Sequence, residues 1–283
     1  MTTTKSWQFN PGGKQYRPAV GAPVSLPPGL FDITSDNWTG SIVLHNLAIK
    51  NEKLCRFSEG QCQDLLTEIN SFWGTQKHYE KLGVPHKRGL LLHGDPGCGK
   101  TSIVMMAVEN IIGQGGLAIQ PSNLRDFADH IGTLRMIEPN RPLLVIFEDV
   151  DQYGHREQTA LLELLDGSSD KVGSNVLFVG TTNYLERIPV RIRARPSRFD
   201  TLIEIKKPTG KQRIEYLKHI CHRWPEVTAE QIEMWAENSD GYGIAALKEL
   251  VIASLIHQHP LEKTLARLQE MQDAINDGDY DED

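Results

Sequence analysis

The sequence predicts an α/β fold: a parallel sheet sandwiched by helices, followed by a small all-helical domain. Three observations carry this reading. Short apolar runs alternate with helix-like periodicity from Arg88 to about Pro208. A glycine-rich loop separates one of those runs from a helix, and after Pro208 the strand signals stop. Runs of this length and composition suit strands buried on both faces of a parallel sheet.

The elements follow in order. Residues 1–30 carry Pro11, Pro18, Pro23, Pro27 and Pro28 with several glycines, a composition that resists helix and predicts an extended arm. Residues 31–34 and 41–45 flank Asp36-Asn-Trp-Thr-Gly40 and predict a short strand pair. From Gln61 to about Tyr79, the spacing of Leu65, Leu66, Ile69, Phe72 and Trp73 predicts a helix. Sheet strands are expected at 89–92, 117–120, 143–147, 176–181 and 201–205, with helices between them, such as 157–165. Residues 212–223, 228–237 and 243–257 read as the terminal helices, and 261–272 as a further helix leading into a tail. The expected division is an arm with its strand pair over 1–60, an α/β domain over 61–207, a helical lid over 208–268 and an acidic disordered tail over 269–283.

Composition excludes several classes. No apolar run approaches the roughly 18 residues a membrane helix needs, and the first residues lack the apolar core of a secretion signal. The four cysteines, Cys55, Cys62, Cys98 and Cys221, have no CxxC spacing, which argues for reduced thiols, a cytoplasmic setting and no zinc site. The net charge of −7 is local in origin. Glu270, Asp273, Asp277, Asp279, Asp281, Glu282 and Asp283 lie at the end; without these seven, the 37 acids fall to 30, matching the 30 basic residues. Such a block is a disordered, solvating tail, or else a docking tail or nucleic-acid mimic. The neutral body offers no broad basic surface to nucleic acid.

Residues 94–101, Gly-Asp-Pro-Gly-Cys-Gly-Lys-Thr, lie between the run 89–92 and the helix-like 102–108. A strand, a glycine-rich loop and a helix N-terminus make a phosphate cradle, because glycines let amides turn toward an anion. Gly94, Asp95, Pro96, Gly97, Cys98, Gly99, Lys100, Thr101 and Ser102 are therefore the expected nucleotide-binding residues. Lys100 would reach the β- and γ-phosphates, and the Thr101 hydroxyl would ligate Mg²⁺. The run 143–147 ends in Glu148 and Asp149, where one acid organises the metal and the next polarises an attacking water. Asn183, ending the run 176–181 and its two threonines, is either a turn residue or a partner for that water or the γ-phosphate. Arg191, Arg193, Arg195 and Arg198 follow within eight positions. They form a phosphate- or RNA-binding patch, or surface ion pairs, or arginine fingers, which only oligomerisation would bring to a neighbour's nucleotide.

In this order and spacing, the motifs resemble the AAA branch of the AAA+ ATPases, from about Leu47 to Val251. The residues that carry the likeness are 79–102, Glu148-Asp149, 161–167 and 180–183. The nearest flavour is the branch containing the mitochondrial Rieske-protein translocase and its bacterial and viral relatives, which shares the Glu-Asp order. The resemblance implies that Lys100 and Thr101 belong to Walker A, Glu148 and Asp149 to Walker B, and Asn183 to sensor 1. It makes Arg195 and Arg198 fingers acting in trans, although Ser197 replaces the usual glycine of that run. Lys248 is a weak substitute for the family's lid arginine. Phe127 is either an aromatic pore residue or a core residue of its helix. The implied function is a Mg²⁺-dependent ATPase, working as a homo-oligomeric ring read as a hexamer, that remodels a protein client. A nucleic-acid-associated ATPase and an ATP-driven assembly scaffold are the alternatives.

Overall fold

The protein is described by a computed structural model, which covers residues 6–9, 15–19, 25–36, 38–49, 54–166, 172–193, 195 and 198–277. The chain opens with β1 (Ser6–Phe9), β2 (Gln15–Ala19), β3 (Gly29–Ser35) and β4 (Ile42–Asn46). Then come α1 (Gln61–Phe72), α2 (Gln76–Leu82), β5 (Lys87–His93), α3 (Lys100–Gly113), β6 (Leu117–Ile119), α4 (Leu124–Ile137) and β7 (Leu143–Phe147). The α/β part finishes with α5 (His155–Asp166), β8 (Val176–Thr182), α6 (Val190–Arg193) and β9 (Thr201–Glu204). The helices α7 (Gly210–Cys221), α8 (Ala229–Asn238), α9 (Ile244–Val251) and α10 (Leu261–Asp277) end the chain. The described residues fall into two compact units: one drawn from 1–54, 61–94 and 100–204, the other from 55–60, 95–99 and 205–283.

The first unit is built on a sheet of order β1-β2-β4-β3-β6-β7-β8-β5-β9. From β3 to β9 neighbouring strands are parallel, whereas β1, β2, β4 and β3 pair antiparallel. Strand alternation sends successive side chains to opposite faces. Leu143, Val145 and Phe147 thus share one core with Phe178, with Leu124, Phe127, Ile131 and Leu134 of α4, and with Leu161, Leu164 and Leu165 of α5. On the other face α3 buries Ile103, Val104, Ala107, Val108 and Ile111 and packs on β6, β7, β8 and α1. Asn123 caps α4 by accepting from the amides of Arg125 and Asp126.

Three expectations change here. The strand pair of the 1–60 segment does not stand apart from the α/β domain. β3 adds to the parallel sheet by pairing Gly29–Phe31 with Leu117–Ile119. Asp32 fastens it, accepting from the Ser122 amide at 3.0 Å and hydroxyl at 2.6 Å. Apolar alternation reveals a strand but not its neighbour. The helix expected from 61 to 79 breaks into α1, a 3-10 turn at Trp73–Thr75, and α2. Phe127 is 0 % exposed within the core, so the pore reading fails for it.

The second unit packs Leu217, Trp235, Leu247, Leu250 and Leu268 into a core of its own. Thr209 and Gln212 form a capping box that starts α7, and Thr228 caps α8. Ser58 donates its amide to Glu215 of α7 at 2.8 Å, fastening residues 55–60 there. α9 runs on into a π-turn at Ile252–Ile256. The expected tail boundary at 269 also moves, because α10 continues to Asp277. It is held by buried Leu268 and by a bond from the Tyr242 hydroxyl to the Leu265 carbonyl at 3.2 Å. A run of acids does not stop a helix whose preceding turns are anchored. The remainder of the expected tail, 278–283, lies outside the described residues, as do most of 1–24. Among the described residues, no helix is long and apolar enough to cross a membrane.

Candidate functional site

Strand register brings the expected motifs to one edge of the sheet. β7, β8 and β5 are neighbours, with Phe147 opposite Gly180 and Leu92 opposite Thr181. The chain therefore leaves the sheet side by side at Glu148, at Asn183 and at Gly94. Ligands of open parallel sheets bind at this carboxyl edge. The fit of β5 depends on Gly89, where a Cβ would run into the Arg198 carbonyl.

Lys100 is the first residue of α3 and is 7 % exposed. Its ammonium donates to the Gly94 carbonyl at 2.6 Å and to Asn183 Oδ1 at 2.7 Å. The loop amine and the strand-end amide are thus in contact across 83 residues of sequence. Thr101 follows, exposed, with Ser102 behind it. In the second unit Asp95, Pro96 and Gly97 form an exposed turn, Cys98 is buried, and Gly99 closes the loop. Gly97 has φ +76°, and a Cβ there would come within 2.9 Å of the Ala245 Cβ. Its carbonyl accepts from the Ala245 amide at 3.1 Å, so the loop is held against the first turn of α9. Lys207 pairs with Asp95 at 3.2 Å. Lys248, one turn further on, is exposed.

Beyond β7, Asp149 adopts a left-handed backbone with φ 47° and ψ 53°. This costs a non-glycine residue on the order of 1 kcal/mol and points to function where the surroundings enforce it. They do so here: the Asp149 amide donates to Thr181 Oγ1 at 3.1 Å, and its carbonyl accepts from the Gln152 amide at 2.9 Å. Glu148 accepts from Gln120 Nε2 at 2.5 Å. Tyr153 packs nearby; burial raises its phenol pKa, and the charges of Glu157, Glu148 and Asp149 add to that. The hydroxyl of Thr101 and the carboxylate of Glu148 are hard oxygen donors, which suit Mg²⁺. With the Lys100 ammonium they match a phosphate–Mg²⁺ pair in donor chemistry.

The two expected fingers behave differently. Arg195 is exposed. Arg198 is turned inward, its side chain 5 % exposed. It forks onto both carboxylate oxygens of Asp166 at the end of α5 and also donates to the Arg191 carbonyl. The bond from Arg198 holds the Asp166 carboxyl below its ordinary pKa, and Asp166 in turn raises that of Arg198. Within one chain, then, Arg198 is engaged by Asp166 whereas Arg195 is exposed. A planar fork meeting a carboxylate is a strong bidentate pair, and Asp166 supplies it within the chain. Sequence reasoning gave no role to Gln120, Asp151, Thr181 or Thr182. Gln120 carried a signal, since it is a polar residue ending an apolar strand, as Asn183 is.

Residues 90–207 match the family model described as ATPase family associated with various cellular activities (AAA). Similar proteins include the probable inactive ATP-dependent zinc metalloprotease FTSHI 1, chloroplastic, of Arabidopsis thaliana. It is 25 % identical over 245 residues, 75 % of this chain and 25 % of that protein. The ATP-dependent zinc metalloprotease FtsH of Myxococcus xanthus is 28 % identical over 216 residues, 69 % of this chain and 33 % of that one. The mitochondrial chaperone BCS1 of Danio rerio is 26 % identical over 227 residues, covering 72 % and 50 % respectively. The aligned part thus spans between a quarter and a half of these relatives' lengths. One of these relatives is described as a probable inactive protease.

Proposed function

We propose, from the premise that residues 90–207 form an AAA ATPase domain, that this chain hydrolyses ATP as a subunit of a ring that remodels a protein partner. ATP and Mg²⁺ are the cofactors of that family. The observation that carries the reading is the convergence of Lys100 and Asn183, 2.7 Å apart, beside the strand end that bears Glu148 and Asp149.

Lys100 sits where its ammonium can turn from the Gly94 carbonyl and the Asn183 amide to the β- and γ-phosphate oxygens. Asn183, released from Lys100, can hydrogen-bond the attacking water or the γ-phosphate. Thr101 and Glu148 would hold Mg²⁺, which when bound neutralises charge on the phosphate oxygens. Asp149, fixed by the Thr181 hydroxyl, orients the water. Arg195 of an adjacent copy completes the charge compensation, while Arg198 stays with Asp166 as a strut. The Glu148-Asp149 order and the likeness to a mitochondrial chaperone support the translocase branch named above and a protein client.

Mixing two inactive variants tests the trans arrangement. Asp149→Asn and Arg195→Ala proteins should each lose turnover and still bind ATP. Mixed under conditions where subunits exchange, they should recover part of the activity, because some interfaces then combine an intact Asp149 with an intact Arg195. No recovery despite measured exchange would count against a shared site.

A further inference from the structure

We infer that Asp151 and Thr182 form a positioning pair that holds the two catalytic loops as one block. The inference rests on the ATPase reading above. The loop after β7 carries Glu148 and Asp149, and the loop after β8 carries Asn183. Strand pairing aligns their roots but ends at Phe147 and Gly180. Beyond that point other bonds must set the distance between the water-orienting carboxylate and the phosphate-facing amide.

Asp151 supplies one of them. The Thr182 hydroxyl donates to Asp151 Oδ1 at 2.5 Å and accepts from the Tyr184 amide at 3.0 Å. Both functions of one hydroxyl are thus committed. One ties it to the Walker B loop, and the other shapes the turn in which Asn183 sits between Thr182 and Tyr184. Thr182 is fully buried, which removes water as a competitor for these bonds. The second tie, from the Asp149 amide to Thr181 Oγ1, is parallel to the first. Asp151 lies inside the 3-10 turn Val150–Gln152, which is entered through the left-handed backbone of Asp149. A strained residue keeps its conformation only where both sides are held, and here Thr181 holds its amide while Asp151 anchors the turn that follows.

Steady-state ATP hydrolysis and binding of a non-hydrolysable ATP analogue, measured on the full chain, test this role. Thr182→Val keeps the shape and removes the hydroxyl; Asp151→Ala removes the acceptor from the other side. Each should lower kcat about 10- to 100-fold, since loss of alignment at a reacting centre acts on this scale. Analogue affinity should stay within about threefold. Thr182→Ser and Asp151→Asn, which retain the donor and the acceptor oxygen, should recover most of the lost turnover. A simple loss of folding would lower kcat and bound analogue together, overturning the role for the variant concerned. Should Asp151→Asn be as inactive as Asp151→Ala, the charge and not the bond matters, and the inference fails. Full activity in Thr182→Val and Asp151→Ala overturns it while sparing the ATPase reading. Absence of phosphate release from the wild-type chain overturns both.

Discussion

Replacing Arg198 and Arg195 separately by alanine should separate a strut from a finger. Arg198 is 5 % exposed, and its guanidinium engages both oxygens of Asp166 and the Arg191 carbonyl. Removing one partner of a fully buried ion pair costs about 3–5 kcal/mol. Asp166 is 34 % exposed and can recover some hydration once abandoned, so the expected cost falls to about 2–3 kcal/mol. For a chain of this size that is roughly a 5–10 °C loss in Tm. Arg195 is exposed, and its removal should leave stability within about 0.5 kcal/mol. Its loss should nevertheless lower kcat about 10³-fold or more, as loss of a finger does. Thermal unfolding and phosphate release on the same preparations provide both readouts. An Arg198→Ala protein of wild-type Tm, or an Arg195→Ala protein of wild-type kcat, would refute the division of labour.

Phe127→Ala should cost about 3–5 kcal/mol of stability through the cavity it leaves, while the turnover of molecules that remain folded is unchanged; urea unfolding and active-site-normalised ATPase rates check this. Gly97→Ala forces a side chain onto a backbone at φ +76° and against Ala245, so ATP affinity should fall at least about tenfold by equilibrium titration. Burial pushes the His86 pKa below its ordinary value, so the folded state keeps the imidazole neutral where the unfolded chain takes up a proton. That contribution is complete above about pH 6.5 and is lost as pH falls through the lower folded value. His86→Gln should therefore flatten the drop in urea midpoint between pH 7 and pH 5, and an unchanged slope would contradict it.

Much of the sheet was legible because its strands are buried on both faces. Residues 143–147 and 176–182 are largely apolar runs followed by polar residues, and the strands could be read from that break. Motif order assigns Lys100 and Asn183 to one site, and the two side chains lie 2.7 Å apart. What stayed hidden were relations between distant segments. Nothing in residues 29–35 shows that β3 will pair with β6, because hydrogen bonding to a neighbour leaves no mark on composition. Arg198 and Asp166 stand 32 residues apart, and only the fold shows that the arginine is already taken. Thr182 was equally hidden: a hydroxyl at the end of a strand reads as a terminator until its acceptor, Asp151, is seen on the next strand's loop.

Phosphate release from the wild-type chain and from Asp149→Asn, with ATP binding measured on both, most directly probes whether the strand-end cluster performs hydrolysis. The expected result is Mg²⁺-dependent release by the wild type, loss of about 10²-fold or more in the variant, and equal nucleotide binding. Binding without release by the wild type, or undiminished release by Asp149→Asn, would contradict it.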